Sequence, residues 1–315
     1  MAHAIVVTGA TGKQGRNVVR ALAEYSSSNS SGVTIYAVSR KPDSPSTQGL
    51  VSKLQNVKVL QGDFSNPVKL VDSIPAESKS SWSLFMISNP GNNEVAEATA
   101  LIDAAISAGV SHIVYSSVDH CSSTTADTCT STVVHWQTKH TIEAHLRNAC
   151  AKAASSDAQK QAVTHTIIRP VFLLDNLSIP GFFGKLSVTL WAHYFGSRPL
   201  RVVDPADVGA VTAVALLDAG SRLYRRNVEV PLCGDELTFD QADDIFKAKV
   251  GYPMPRTSPW IVSLVLFLAR DFGRMVNELA TKGWRAPVGS GESGVKVSDF
   301  GTWVSRSRFM GETST

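Results

Sequence analysis

A glycine-rich segment near the start of the chain limits the possible folds more than any other sequence feature. The β-branched run Ala4–Thr8 leads directly into the sequence TGATGKQG, and an apolar pattern with helical spacing follows it. In such a strand–loop–helix unit, Gly9 permits a tight turn, Gly12 lets the backbone approach a pyrophosphate, and Gly15 allows the helix to pack closely. The first N–H groups of the helix then bind the anion. The alternative is a turn that binds nothing, but this context favours a dinucleotide-binding loop formed by Gly9, Thr11, Gly12, Lys13, Gln14 and Gly15.

The rest of the first half alternates short apolar runs with segments of helical periodicity. The apolar runs predict strands at Val33–Val38, Val57–Leu60, Leu84–Ile87, His112–Tyr115 and His165–Ile168. Strands separated by helices form βαβ units and a parallel sheet, and their nearly continuous apolar character indicates helices on both faces. We therefore predict an α/β fold with a Rossmann-type doubly wound parallel sheet.

The regular alternation stops near residue 170, where proline, glycine and aromatic residues become frequent. A further strand and helix follow, with Asp207 as the expected N-cap of an apolar helix. We predict a dinucleotide-binding Rossmann domain over residues 1–170, completed by a return segment near 200–235. Residues 171–200 and 236–315 are expected to form a smaller α/β region that binds substrate or acts as a lid.

The end of the second predicted strand indicates which dinucleotide the loop binds. A site that prefers NAD has Asp or Glu there to accept a hydrogen bond from the ribose 2′-hydroxyl. Here the residues are Ser39, Arg40 and Lys41, so the carboxylate is missing and a guanidinium is placed to bind a 2′-phosphate. We predict NADP, as NADPH, with Arg40 and Lys41 as contacts. The alternative is that both are solvated loop charges.

Composition and targeting signals argue against several classes of protein. The chain has 315 residues and a net charge of +3, which provides no basic footprint for direct nucleic-acid binding. Its four cysteines form neither a CxxC pair nor a zinc-like spacing, so we expect reduced thiols and no metal site. The first residues lack a signal-peptide pattern, and the longest apolar stretch, Trp260–Ala269, is about half the roughly 20 residues that span a bilayer. We expect a cytoplasmic protein without a membrane span.

Several short motifs give the chain a resemblance to a known family. The spacing GxxGxxG resembles that of the extended and atypical short-chain dehydrogenase/reductases. Further motifs in matching order narrow the resemblance to the NmrA-like family up to about residue 250, namely Leu60–Asp63, Val114–Ser117, His135–Lys139, Ile168–Pro170 with Asn176, and Val203–Gly209. The resemblance implies a Rossmann fold that binds NAD(P), with a small C-terminal domain over the nicotinamide. It also implies two kinds of member, reductases of small molecules and catalytically silent redox sensors that bind other proteins.

The resemblance also implies which residues would act in catalysis. Short-chain reductases carry Tyr-x-x-x-Lys, in which the tyrosine donates a proton and the lysine holds the nicotinamide ribose. The matching positions here hold His135 and Lys139, so the lysine is kept and the tyrosine is not. Lys139 therefore supports cofactor binding more firmly than turnover, and His135 is either a proton donor or a partly exposed histidine without a role. Ser116 and Ser117, at the end of the fifth strand, either orient a substrate carbonyl or are structural.

The remaining predicted contacts also come from the resemblance. The cofactor contacts expected after the third, fourth and sixth strands are Asp63, Phe64, Ser88, Asn89, Pro90, Pro170 and Phe172. The predicted substrate contacts are Ser117, Asn176 and Phe172, although ordinary core packing is an alternative for Phe172.

Residues 259–282 have apolar side chains at helical spacing over a wide face. Such a helix caps an apolar substrate pocket, docks a partner, lies on a membrane surface, or packs on the sheet domain. Its polar face is not rich in Lys and Arg, which argues against the membrane surface. A lid would indicate an apolar substrate, such as an intermediate of secondary metabolism.

Two hypotheses from different classes remain open. The first is an NADP(H)-dependent oxidoreductase that reduces a C=O, C=N (iminium) or C=C bond of a small, largely apolar metabolite. An iminium is included because a cationic C=N needs no tyrosine acid before hydride arrives. The second is a non-catalytic NADP(H)-sensing regulator that binds a partner protein. The missing tyrosine favours the sensor, whereas the aromatic region after residue 170 and the apolar helix favour the enzyme, which we prefer.

Overall fold

The computed structural model describes residues 3–29, 32–119, 129–156, 162–178, 180–284, 286–289 and 293–310. The chain is divided into two compact units. The first comprises Met1–Ser117, Thr138–Ile168 and Val208–Val230, and the second comprises Val118–Gln137, Arg169–Asp207 and Pro231–Thr315. The domain boundaries expected from the sequence, 1–170 with a return segment near 200–235, stay a prediction.

Strands and helices alternate along the described residues. The strands are β1 (His3–Val7), β2 (Val33–Ser39), β3 (Val57–Gln61), β4 (Trp82–Ile87), β5 (His112–Ser116), β6 (Thr164–Pro170), β7 (Phe172–Leu173), β8 (Leu200–Val203), β9 (Val228–Leu232) and β10 (Asp235–Leu237). The helices are α1 (Gly15–Ser28), α2 (Pro45–Val51), α3 (Pro67–Asp72), α4 (Glu94–Ser107), α5 (Val134–Ser156), α6 (Phe182–Leu190), α7 (Pro205–Leu217), α8 (Phe239–Val250), α9 (Pro259–Leu268), α10 (Arg270–Lys282) and α11 (Phe300–Arg306). The six strands predicted in the first half are confirmed, with ends that differ by at most two residues.

The first unit is built on a sheet with the strand order β3-β2-β1-β4-β5-β6-β9. The pairs from β3 through β6 are all parallel. In β1 the successive residues Ala4, Ile5, Val6 and Val7 are each at most 1% exposed, so both faces of the strand are buried. Helices on both faces explain this pattern, because neighbouring strand residues point to opposite sides. The predicted α/β Rossmann-type doubly wound fold is confirmed.

The second unit contains a three-stranded sheet with the order β10-β8-β7. β10 is antiparallel to β8, whereas β7 is parallel to it. Its core is aromatic: the Trp191 ring meets Phe239 and Phe300 edge-on, at centroid distances of 6.1 and 6.0 Å. The aromatic residues after residue 170 therefore build a core of their own.

The predicted N-cap at Asp207 is wrong. Helix α7 begins at Pro205, and Asp204 precedes it. One Asp204 carboxylate oxygen accepts the Ala206 N–H at 2.8 Å, so Asp204 satisfies the free amide that a cap must satisfy. Asp207 lies inside the first turn and instead accepts hydrogen bonds from the Ser298 N–H and hydroxyl, at 3.0 and 3.1 Å.

The single apolar helix expected over 259–282 is also corrected. It is broken at Ala269, whose backbone angles (φ −92°, ψ 71°) are not helical, and α9 and α10 pack against each other across the break. A Cβ at Gly273 would lie 2.6 Å from the Leu266 carbonyl oxygen, so glycine permits this close return of the chain. The apolar spacing continues through the break, which is why periodicity did not reveal it.

The described residues contain no helix with the length and hydropathy needed to cross a bilayer. Among the same residues, no cluster of three or more His, Cys, Asp or Glu side chains is arranged to hold a metal ion. Cys129, Cys150 and Cys233 carry free thiols, and Cys121 lies outside the described residues.

Candidate functional site

The glycine-rich loop in the first unit is as tight as the sequence indicates. Gly9 has a positive φ of 60°, and its carbonyl accepts the Gly12 N–H at 2.8 Å. A Cβ at Gly15 would lie 2.2 Å from the Gly9 carbonyl oxygen, and a Cβ at Gly12 would lie 3.1 Å from it. Side chains at these positions would fill the turn, so the loop offers bare backbone to a ligand.

The start of α1 has donors available for an anion. Gln14 occupies the N-cap position, but its side chain does not cap the helix. Instead the Gln14 side-chain oxygen accepts a hydrogen bond from the Ser116 hydroxyl at 2.5 Å, which ties β5 to the loop. Among the described residues, no hydrogen-bond acceptor is found for the Thr11 and Gln14 backbone amides. Lys13 is half-buried in the same loop, so the local charge and the helix dipole both favour a phosphate.

A cavity of about 410 Å³ lies at the ends of β2 and β3, beside α3. Its lining includes Arg40, Asp63 and Lys69, whereas Lys41 is exposed and does not contribute to the lining. Asp63 accepts the Ser65 N–H at 3.3 Å, so its carboxylate also organises the loop that it leads into. The sequence interpretation named Arg40 and Asp63 but missed Lys69, a second cation in the same cavity.

A buried polar network surrounds Lys139 on α5. Its ammonium lies 2.8 Å from a carboxylate oxygen of Glu94 and donates to the Ser88 hydroxyl at 2.5 Å. Lys139 and Glu94 are each only 5% exposed. The Ser88 hydroxyl donates to Glu94 at 2.7 Å, and it lies 3.1 Å from the Tyr115 hydroxyl. Because Ser88 has a single hydrogen to give, Tyr115 is the donor in that last contact.

The charges in this network follow from burial and proximity. Burial lowers the pKa of Lys139, and the Glu94 carboxylate opposes that effect, followed by Glu143. Burial also raises the pKa of Tyr115 far above its usual range, so its phenol stays protonated and remains a donor. Lys139 and Glu94 therefore form an ion pair inside the protein. Ser88 was expected to contact a cofactor, but its hydroxyl is buried and already bonded to three protein groups.

The two serines at the end of β5 differ in their surroundings. The Ser116 hydroxyl is engaged with Gln14, as described above. The Ser117 hydroxyl is buried and lies near the Tyr115 phenol, but it makes no hydrogen bond of good geometry with any described residue. A buried hydroxyl without a partner is unfavourable, so Ser117 is the serine better placed to bind a ligand.

Other residues named from the sequence have plain structural surroundings. In the first unit, Asn89 and Pro90 are exposed after β4, and Phe64 is half-buried against the core. In the second unit, the Pro170 carbonyl accepts the Asp119 N–H at 2.9 Å, and Phe172 packs against the core of that unit. Asn176 is half-buried in a short 3₁₀ turn. For Phe172, core packing accounts for the contacts that are seen.

His135 lies in the first turn of α5, within the second unit. Its side chain is half-buried, and its backbone N–H donates to Asp271 at 3.2 Å. The neighbouring Val134 N–H donates to the other oxygen of Asp271 at 2.8 Å. Asp271 therefore satisfies two free amides at the start of α5, so this turn has a firm structural role.

Sequence reasoning missed Glu94, although one signal was present. It is one of two acids in the first turn of α4, together with Glu97, and the residues between and after them are Val95, Ala96 and Ala98. A carboxylate there is normally read as an exposed group that interacts with the helix dipole. Only the fold shows that this carboxylate is buried beside Lys139.

Comparison with known proteins gives consistent matches. The model of the NmrA-like family matches residues 1–259. The NmrA-like family domain-containing oxidoreductase FrzB of Cladobotryum sp is 31% identical over 126 residues, which is 37% of this chain and 34% of that protein. The similarly described ptmS of Penicillium ochrochloron is 30% identical over 156 residues, or 47% of this chain and 43% of that protein. The matches thus span less than half of these relatives.

A solved structure matches over nearly its whole length. The Citrobacter sp. triphenylmethane reductase, complexed with NADP(H), gives a TM-score of 0.66 with 18% identity, covering 97% of this chain and 99% of that one. At this level of identity the likeness concerns the fold alone.

Proposed function

This chain belongs to the NmrA-like family, and from that membership we propose that it is an NAD(P)-dependent oxidoreductase that uses NADPH. Its proposed substrate is a small, largely apolar metabolite in which a C=O, C=N (iminium) or C=C bond is reduced. The two curated relatives are described as oxidoreductases, and the Citrobacter reductase binds NADP(H). These descriptions support the proposal, and the residues of this chain give it its detail.

The glycine-rich loop fits the cofactor. Gly12 and Gly15 allow the tight turn, because a Cβ at either would crowd the Gly9 carbonyl oxygen, and the Thr11 and Gln14 amides would donate to a pyrophosphate. Arg40 and Lys69 line one cavity, where together they would balance the charge of a 2′-phosphate. When bound, NADPH supplies the hydride. Binding, orientation and proton transfer would be the work of this protein's own side chains.

The buried Lys139 is the observation that carries the proposal. Two of its three N–H groups are directed to Glu94 and Ser88, which leaves one for a ligand hydroxyl. Glu94 keeps the ammonium charged in a place where burial would favour the neutral amine. A fixed, charged donor of this kind would hold the ribose, and through the ribose the nicotinamide, in one orientation.

In this proposal the substrate is bound by Ser117 rather than by a tyrosine. Its buried hydroxyl has no partner of good geometry among the described residues, so it would bind a carbonyl oxygen or nitrogen of the substrate. His135 stands where short-chain reductases have tyrosine, and it is the remaining candidate proton donor. If neither group donates a proton, an iminium is the favoured substrate, because it already carries the charge that protonation would create.

The second candidate function is an NADP(H)-sensing regulator that binds a partner protein. The observation that favours it is His135 at the position of the reductase tyrosine. In that case the glycine loop and Lys139 would bind cofactor without turnover.

One set of measurements separates the two functions. NADPH oxidation is followed with a panel of carbonyls and cyclic imines, and NADPH and NADP⁺ binding is compared by calorimetry. Turnover that is abolished in Lys139→Ala, while circular dichroism shows that the variant is still folded at the assay temperature, supports the enzyme. No turnover with any substrate, together with a partner interaction that depends on the redox state of the cofactor, supports the sensor.

A further inference from the structure

Two neighbouring helices of the second unit expose large apolar side chains. They are Phe182 and Phe183 on α6, and Trp260, Leu264, Phe267 and Leu268 on α9. We call these six residues the apolar face. The two helices pack against each other, and the spacing of the four α9 residues places them on one side of that helix. Trp260 is 66% exposed, and Phe267 and Leu268 are each 71% exposed. Scattered exposed apolar residues are common, but a group of this size marks a surface that binds something.

Among the described residues of α6, α9 and α10, the exposed charges that form no ion pair are all basic. Helix α9 has no charged residue, and the only charged residue of α6 is Lys185, one turn after Phe182. Arg270 follows Leu268 by two residues, and Arg274 lies one turn further along α10. All three cations are exposed, and none forms an ion pair with a described residue.

The acids of α10 are half-buried and engaged within the second unit. Asp271 accepts the Val134 and His135 amides, and Glu278 accepts the Ser131 hydroxyl at 2.6 Å and pairs with Lys282. This arrangement changes the expectation from the sequence, where the polar face of 259–282 looked poor in basic residues. With the acids engaged and Lys185 added from α6, the free charge near the apolar face is positive.

We propose that the apolar face docks on the surface of a bilayer that contains anionic phospholipid. The aromatic and aliphatic side chains enter the boundary between head groups and acyl chains, and Lys185, Arg270 and Arg274 bind lipid phosphates. With ten residues, α9 is about 15 Å long, so it lies on the bilayer and does not cross it. The proposal is independent of the proposed cofactor site and of the proposed oxidoreductase activity.

Two other occupants fit the observations less well. A second copy of this chain, related by a two-fold axis, would present the same three cations again and no unpaired acid of α6, α9 or α10 to receive them. A protein partner needs about one hydrogen bond per 100–200 Å² of interface. Apart from the Trp260 indole N–H, the one polar side chain of α9 is Ser263, which already accepts from Tyr194 at 2.9 Å and donates to the Pro259 carbonyl at 3.3 Å. A bilayer requires no such hydrogen bonds from the apolar face.

Co-flotation with lipid vesicles tests this proposal with the full chain. The wild-type protein is expected to float with vesicles of phosphatidylcholine mixed with phosphatidylserine, and much less with phosphatidylcholine alone. Phe267→Ser combined with Leu268→Ser should lower the partition coefficient about tenfold for each side chain removed. Arg270→Glu combined with Arg274→Glu should lower it on mixed vesicles by at least about fivefold per residue. Val68→Ser, at a 58% exposed apolar residue on α3, is the matched control and should bind like wild type.

Three outcomes would overturn the proposal. The first is that the wild-type protein floats with neither kind of vesicle, and the second is that it floats equally with both. The third is a concentration-dependent dimer in sedimentation that the Phe267→Ser, Leu268→Ser variant abolishes, because a second copy would then cover the apolar face. Circular dichroism melts of each variant show that a loss of flotation is not a loss of folding.

Discussion

Replacing Glu94 with Gln tests whether this carboxylate keeps Lys139 charged. The amide has nearly the size of the carboxylate and still accepts a hydrogen bond, so the substitution removes little except the charge. Burial lowers the pKa of Lys139, and Glu94, 2.8 Å away, is the first group that opposes it. In the variant the pKa of Lys139 should fall further, with only Glu143 still opposing. The ammonium would then be lost at a lower pH, because a base loses its proton as the pH rises through its pKa.

The size of the effect follows from the geometry. Two unit charges 2.8 Å apart attract by about 6 kcal/mol at an effective dielectric constant of about 20. Desolvation offsets much of this, and removing one partner of a buried pair destabilises a protein by about 3–5 kcal/mol. The loss of binding free energy for NADPH is smaller, because NADPH loses only one charge-assisted hydrogen bond, of about 1.5–3 kcal/mol. The Kd for NADPH should therefore rise by about 10- to 150-fold once Lys139 is neutral.

Calorimetric titration of NADPH over a series of pH values measures this effect. We expect Glu94→Gln to bind NADPH like wild type at low pH. As the pH rises, its affinity for NADPH should fall at a lower pH than that of wild type. Glu94→Asp keeps the charge and should recover part of the affinity. Glu97→Gln changes a half-buried acid of the same helix and serves as the matched control. An unchanged pH dependence of NADPH binding in Glu94→Gln would refute the role assigned to Glu94.

Three further predictions address other parts of the protein. Arg40→Ala and Lys69→Ala should each raise the Kd for NADPH by about tenfold or more and change the Kd for NADH little, with Lys41→Ala as the control. Equal losses of affinity for both cofactors would contradict an NADP site. Ser117→Ala should lower kcat/KM with an unchanged Kd for NADPH, and a parallel loss of both would assign Ser117 to the cofactor. Burial is the largest cause that lowers the pKa of three histidines, to about 4 for His3, about 3 for His112 and about 4 for His165. Below pH 6.5 the unfolded chain therefore binds more protons than the native protein does. From pH 7 to pH 5 the free energy of unfolding, measured with urea, should fall by about 2 kcal/mol per histidine. Asp207, whose pKa is raised to about 6 by burial, should offset this fall by about 1 kcal/mol. A free energy of unfolding that does not change with pH would contradict this account.

The first unit could be predicted from the sequence because its pattern is local. A strand buried on both faces is apolar at most positions, so runs such as Ala4–Thr8 and Leu84–Ile87 could be recognised without knowing their partners. The glycine loop is equally local, because the requirement for Gly9 and Gly15 arises within eight residues of chain. The resemblance placed Lys139 on a helix, where the structure has it.

The features that were missed depend on contacts between distant segments. Glu94 and Lys139 lie on α4 and α5, and nothing in either helix alone indicates that the two would be buried together. Lys69 enters the cavity of Arg40 only because α3 follows β3, which pairs with β2. The break at Ala269 could not be detected, since apolar residues at helical spacing look alike in one long helix and in two packed ones.

The two ends of the sheet in the first unit satisfy buried polar groups in different ways. At the amino ends of β5 and β6, the His112 ring is bonded to the Thr164 and Thr166 hydroxyls at 2.7 and 3.0 Å, and its lowered pKa keeps it neutral. Neutral hydrogen-bonded groups cost little to bury. Lys139 and Glu94 instead keep full charges, although replacing a buried ion pair with apolar residues is often neutral or stabilising. Stability alone therefore does not explain this pair, whereas the proposed role of Lys139, a fixed ammonium that holds the cofactor, would account for it.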